Sequence, residues 1–459
     1  MKRLTNSLKK YNNAHPVRFH VPSHKGRLSQ SLLDAADDIT ELDFSDNLNH
    51  PHFVIADEEK KAAEIFGVKH TLFTTNGATS AVIASILYAI KSNEKILIPT
   101  DSHISAYYGA VHADAQIVRC VVKQPLSGIT MHELAECIEL NPDISVCLIT
   151  NPTYYGFCCD IRSVCTFLKS KNILCIVDES HGTHLHFSDA YPLSAIDSDA
   201  DIVIHSGHKT INGLTQTGMI QINSDQIDVE HLRTKLRLLS STSPSYLLLQ
   251  SLTEAVRQLK NIENVLYNLK LWYNKTVDAL EKSDLFSVMN HAGSGITAFD
   301  CDPMRLCIGV ADGNGREYAE AMQQDAALYT ELSEDHLILC VAGLSSNWDD
   351  FVVLQNALMS QRPKTPIPII KNSNYKNIIF PQQATSIKMA IGSDYEYCEI
   401  NECIGEISAD FISVYPPGAP FVLPGSMLDE TVLNFIRSVP RECLVGLYGE
   451  KIKIVKRKI

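Results

Sequence analysis

The chain has 459 residues, 45% of them hydrophobic and 20% charged, with a mean hydropathy of −0.03. These values exclude intrinsic disorder, collagen and coiled coil, and a length prior of about 100 to 200 residues per domain allows two or three domains with a large core. Lys plus Arg number 40 and Asp plus Glu 53, a formal charge of −13. That balance argues against a nucleic-acid partner, because nonspecific phosphate-backbone affinity comes from clustered cations. It suits a small cationic substrate, and it suits plain solubility equally.

The stretch 1–13 is basic but lacks the apolar core of about seven residues that a signal peptide needs, and no run of about 18 apolar residues occurs. A cytoplasmic protein with no membrane partner is expected. The 13 cysteines are odd in number and scattered, Cys158 and Cys159 are adjacent, and no Cys-x-x-Cys pair exists. They read as reduced core thiols, not as a disulfide framework or a thiolate zinc site.

Along the chain, Asn76-Gly77 precedes a helical pattern in which Val82, Ile83, Ile86, Leu87 and Ile90 fall on one stripe. Short apolar runs then predict strands at Lys95–Ile98, Gln116–Val122, Ser145–Ile149, Ile173–Val177, Asp201–Ile204 and Met219–Ile222. Their alternation with helical patterns predicts a parallel sheet with crossover helices, an α/β fold. From Ser245 to about Ser283 the pattern is helical again, with Leu248, Leu252, Val256 and Leu259 spaced four, four and three apart. Strand-like pieces follow at Gly295–Phe299 and Leu337–Val341. The stretch Gln361–Lys371, with Pro363, Pro366 and Pro368, reads as an extended linker because proline resists both helix and central strand. A last segment carries Tyr415-Pro416-Pro417-Gly418-Ala419-Pro420, and no internal repeat is found.

In a parallel α/β sheet, ligands bind outside the carboxyl ends of the strands. After Ile173–Val177 comes Asp178-Glu179-Ser180-His181-Gly182-Thr183-His184, and after Asp201–Ile204 comes His205-Ser206-Gly207-His208-Lys209-Thr210. Taken separately, Asp178 reads as a helix N-cap and Lys209 as an exposed loop lysine. Together they match what a pyridoxal phosphate site requires: a lysine amine for the Schiff base and a carboxylate that keeps the pyridine nitrogen protonated. The glycine turn Thr75-Asn76-Gly77-Ala78-Thr79-Ser80, opening a helix, supplies backbone N–H groups and the positive end of the helix dipole to a phosphate. A metal site built on His181, His184 and His186 is the sharper alternative, but the cofactor already accounts for these residues, so no metal is expected.

With these stretches in place, the sequence resembles the prokaryotic ornithine/lysine/arginine decarboxylases, fold-type-I pyridoxal phosphate enzymes, in their shorter form without an N-terminal receiver-like domain. The resemblance runs through Arg18 to Gly26, Thr75 to Ser80, Asp101-Ser102-His103, Asn151 to Gly156, Asp178 to His184, Ser206 to Thr210, Leu214-Thr215-Gln216, Thr242 to Tyr246 and Tyr415 to Gly425. It implies a large domain with a mainly parallel seven-stranded sheet, a smaller α/β domain and a C-terminal α+β domain. The expected divisions are an N-terminal segment over 1–50, the cofactor domain over 51–270, the small domain over 271–362 and the C-terminal domain over 363–459.

The resemblance further implies Lys209 as the Schiff-base lysine, Asp178 as partner of the pyridinium nitrogen, His103 stacked on the ring and His181 beside it. Gly77, Ala78, Thr79, Ser206 and His208 would hold the phosphate, and Lys209 or His208 would return a proton to Cα. The implied reaction is decarboxylation of a basic amino acid, for polyamine metabolism, by a homodimer or an assembly of dimers. Transamination, a lyase step on the same scaffold, or a catalytically degenerate cofactor-binding protein are the alternatives. Departures from the family pattern are Ser23 for glycine, Ala78 for Thr or Ser, Ser180, Gly207, Asp410 for Glu, and Ser426 for a closing glutamate. The last puts the choice among arginine, lysine and ornithine in doubt.

Overall fold

The computed structural model describes residues 4–28, 34–124, 126–290, 298–363, 380–415 and 418–456. The chain divides into two compact units, 1–81 with 151–167 and 176–368, and 82–150 with 168–175 and 369–459.

The first unit carries the strands His70–Thr74, Gly218–Ile222 and Ile202–Ser206, paired in that order, and Ile176–Asp178 pairs with Ile202–Ile204. The Gly218–Ile222 strand runs antiparallel to both of its neighbours, so His70–Thr74, Ile202–Ser206 and Ile176–Asp178 point the same way. Leu72, Phe73, Ile202, Val203, Ile204, Met219, Ile220 and Ile222 are all buried, as expected where a sheet is covered on both faces. A second, four-stranded antiparallel sheet of this unit runs in the order Phe286–Val288, Arg305–Val310, Leu337–Val341, Leu332–Glu334. The N-terminal strand Val17–Phe19 pairs parallel with Leu328–Thr330.

In the second unit, Lys95–Pro99 pairs in parallel with both Gln116–Cys120 and Ile144–Thr150. The C-terminal part of this unit packs Ile412, Phe421, Val422, Leu428, Val432, Leu433, Ile436 and Ile452 into a core of its own.

All six strands expected from the 95–222 region are present, within a residue or two of their expected ends, and the seventh, His70–Thr74, had no expectation. The helix expected over 79–90 spans Gly77–Ala89. The long helix expected from Ser245 to Ser283 is instead two, Tyr246–Gln258 and Glu263–Leu280, separated by a 3-10 turn at Leu259–Asn261. Leu337–Val341 is a strand. Gly295–Phe299 and the proline-rich stretch after Pro363 lie largely outside the described residues. Among the described residues no helix is long and apolar enough to cross a membrane.

Candidate active site

Three loops of the first unit leave the same edge of its sheet, because the strands His70–Thr74, Ile176–Asp178 and Ile202–Ser206 run in one direction. They bring together the glycine turn, Asp178 with His181, and Lys209. Gly77 has φ +76, and a Cβ built there would have no atom within 4 Å, so the turn borders open space. Gly218 lets the antiparallel strand pass against that turn, since a Cβ there would sit 3.0 Å from the Ala78 nitrogen.

The Gly77 amide donates to the Gln216 carbonyl at 2.7 Å, so its part is the turn itself. The next amides, of Ala78 and Thr79, belong to the first turn of the helix, where no intrahelical acceptor exists. They have no other partner among the described residues.

Asp178 ends its strand and is buried. Its Oδ1 accepts the Ser180 amide at 3.1 Å and the Ser180 hydroxyl at 2.5 Å. Its Oδ2 accepts no hydrogen bond among the described residues. Lys209, half-buried, places Nζ 3.1 Å from His181 Nε2. Burial above all holds the Lys209 ammonium below the ordinary lysine range; Asp178 opposes this, Arg305 adds to it, and Glu331 opposes it. His208 bonds through Nδ1 to the Ser206 hydroxyl at 3.0 Å, and burial above all pushes it down to about 4.

Three further groups surround these that sequence reasoning did not single out. Arg305 is fully buried, donates through Nη2 to His181 Nδ1 and through Nη1 to the Tyr154 carbonyl at 3.0 Å. The Tyr154 ring meets His181 edge-on at 5.6 Å between centroids, and its hydroxyl donates to Glu331 Oε1 at 3.1 Å. Glu331 Oε2 also accepts the Val21 amide at 2.8 Å. A signal for Arg305 was present: it opens the apolar run Arg305-Leu306-Cys307-Ile308, and arginine is almost never fully buried without a dedicated partner.

Other residues raised by the sequence have their own partners. His184 Nε2 lies 3.0 Å from Asp302 Oδ1 in a fully buried pair, while His186 Nδ1 lies 2.9 Å from Asp197 Oδ2. His103 belongs to the second unit, where it caps the helix Ile104–His112 by accepting the Ser105 amide at 3.2 Å. Also in that unit, Ser426 is fully buried, its hydroxyl accepting the Leu423 amide at 3.3 Å and donating to Gln383 Oε1 at 3.2 Å. Asp410 accepts the Phe411 amide and the Tyr448 hydroxyl.

The arrangement in the first unit fits pyridoxal phosphate. An open turn with two unpaired amides suits an anion, a buried carboxylate with one oxygen unused suits a protonated ring nitrogen, and a lysine held toward its neutral form suits carbonyl chemistry. The comparisons agree. The family model described as Orn/Lys/Arg decarboxylase, major domain, matches residues 3–299, and its C-terminal domain model matches 371–442. An arginine decarboxylase of Halalkalibacterium halodurans is 30% identical over 444 residues, covering 92% of this chain and 90% of that one. One from Bacillus subtilis is 29% identical over 455 residues, covering 94% and 92%. Among solved structures, lysine decarboxylase A from Pseudomonas aeruginosa superposes with a TM-score of 0.77 at 16% identity, covering 92% of this chain and 74% of that one.

Proposed function

We propose that this chain, which belongs to the Orn/Lys/Arg decarboxylase family of pyridoxal phosphate enzymes, removes the α-carboxylate of arginine and releases the corresponding amine. The observation that carries the reading is the placement of Lys209 Nζ 3.1 Å from His181, on the same sheet edge as Asp178 and the Gly77 turn. Arginine is chosen over lysine and ornithine because the two relatives at 30% and 29% identity carry that name, whereas the lysine decarboxylase among the solved structures is 16% identical.

Pyridoxal phosphate, when bound, supplies the electron sink for the pair left by the departing carboxylate. The Ala78 and Thr79 amides, at the positive end of the helix Gly77–Ala89, are assigned to its phosphate. Asp178 Oδ2 is assigned to hold the proton on the ring nitrogen, while Ser180 keeps Oδ1 engaged. Lys209 is the amine that would bind the cofactor; displaced by the substrate amine, it would take up that amine's proton and so be the group that returns a proton to Cα. His208, pushed down to about 4, carries no proton to give near neutral pH. Ser206 keeps the His208 ring turned through its 3.0 Å bond.

A homodimer and a place in polyamine metabolism belong to the same reading. The dimer rests on the likeness to fold-type-I enzymes alone.

The test is a panel of arginine, lysine, ornithine and neutral amino acids with the pyridoxal phosphate-loaded protein, measuring carbon dioxide and the nitrogenous product. Agmatine formed fastest from arginine supports the reading. A keto acid in place of an amine would move it to transamination, and no turnover of any basic amino acid would end it.

A further inference from the structure

Arginine has no acceptor atom and keeps its proton at every accessible pH, so a nitrogen it bonds must offer a lone pair. Arg305 Nη2 bonds His181 Nδ1. In a neutral imidazole whose Nδ1 is the acceptor, the proton sits on Nε2. That Nε2 is the atom 3.1 Å from Lys209 Nζ. A proton pointing from Nε2 toward an ammonium would be a clash of two donors, whereas toward a neutral amine it is a hydrogen bond.

Resting on the assignment of Lys209 as the cofactor lysine, we infer that Arg305 is a positioning residue that locks His181 in its Nε2–H tautomer and thereby directs a hydrogen bond onto the lone pair of Lys209. The guanidinium is held for this task. It is fully buried, and its other arm is tied to the Tyr154 carbonyl at 3.0 Å. Tyr154 in turn rests its ring edge-on to His181 and its hydroxyl on Glu331. The charged and titratable groups around the pair are Asp178, Glu331, Asp302, Tyr154 and Cys158 on the acidic side, and Arg305, Lys25 and the imidazole of His208 on the basic side. Arg305 is the fixed cation closest in role, since its effect on Lys209 opposes that of Asp178 and Glu331.

The experiment follows the visible absorption band of the pyridoxal phosphate-loaded protein, which reports the bond to Lys209, as a function of pH. Removing a cation beside a titrating nitrogen raises its pKa. Arg305→Met is therefore expected to move the band's midpoint up by about one pH unit, whereas Arg305→Lys, which keeps a charge and a donor, stays close to the wild type. In a His181→Asn background the shift caused by Arg305→Met should shrink, because part of the effect passes through the imidazole. If Arg305→Met is not recovered folded, Arg305→Gln carries the same expectation.

A midpoint unchanged in Arg305→Met or Arg305→Gln overturns the inference, and so does a shift of equal size with and without His181. A wild-type protein without any Lys209-dependent band overturns the cofactor reading instead, so the two failures are distinguishable.

Discussion

Ser180 donates both its amide, at 3.1 Å, and its hydroxyl, at 2.5 Å, to one oxygen of Asp178. An Oδ1 with both lone pairs engaged leaves Oδ2 as the oxygen available to a ligand, and the two bonds together fix the plane of the carboxylate. An alanine at 180 would keep only the amide. A hydrogen bond to a charged group contributes about 1.5 to 3 kcal/mol, and losing part of it at the reacting centre amounts to about tenfold in rate. Ser180→Ala should therefore fold normally, bind pyridoxal phosphate more weakly and lose about tenfold in kcat. Equilibrium dialysis of the cofactor with steady-state kinetics checks this; wild-type values for both would contradict it.

Ser23 holds the peptide on either side of Lys209. Its amide donates to the His208 carbonyl at 2.9 Å, its hydroxyl donates to the Thr210 carbonyl at 3.0 Å, and the same hydroxyl accepts the Leu344 amide at 2.9 Å. The side chain is fully buried, so no water replaces it. Ser23→Ala leaves the Leu344 amide and the Thr210 carbonyl without this partner and should cost about 1 to 3 kcal/mol of stability in chemical denaturation. A change below about 0.5 kcal/mol, the range of an ordinary surface substitution, would show that the clamp does not matter.

The part of the site that was legible in the sequence is the part carried by contiguous residues. Lys209, His208 and Ser206 follow one apolar run, Asp178 and His181 another, and the order of strand and loop suffices to put them on one edge. Arg305 carried a signal in opening an apolar run, but its pairing with His181 was not legible, because the two lie 124 residues apart along the chain and no spacing rule joins them. The strand His70–Thr74 was missed for a related reason. Its sequence, His-Thr-Leu-Phe-Thr, has only two strongly apolar residues, and what makes it a strand is nonlocal pairing with Gly218–Ile222. That the latter runs antiparallel is likewise written in pairing, not in composition. The break at Leu259–Asn261 contains neither proline nor glycine, and nothing in the local sequence marks it.

His208 sets a pH dependence whose sign can be worked out. Its folded-state pKa lies at about 4, below the ordinary value of 6.5, because burial disfavours the charged ring. Above pH 6.5 it is neutral in both states and has no effect. As the pH falls from 6.5 to 4, the unfolded chain takes up a proton that the folded one does not, so stability declines through that window and levels off below it. His208→Gln should remove about one proton's worth of slope from stability against pH in that window. An unaltered slope would mean that the ring is charged in the folded protein.

With Lys209 proposed as the amine through which the cofactor and the substrate are handled, Lys209→Ala removes both functions at once. The wild-type protein incubated with pyridoxal phosphate should show a visible absorption band and release carbon dioxide from carboxyl-labelled arginine. Lys209→Ala, refolded and loaded in the same way, should lack the band and lose at least about a thousandfold in carbon dioxide release, the scale of removing a covalent catalytic group. A Lys209→Ala protein that keeps the band, or turns over arginine at the wild-type rate, would contradict the account.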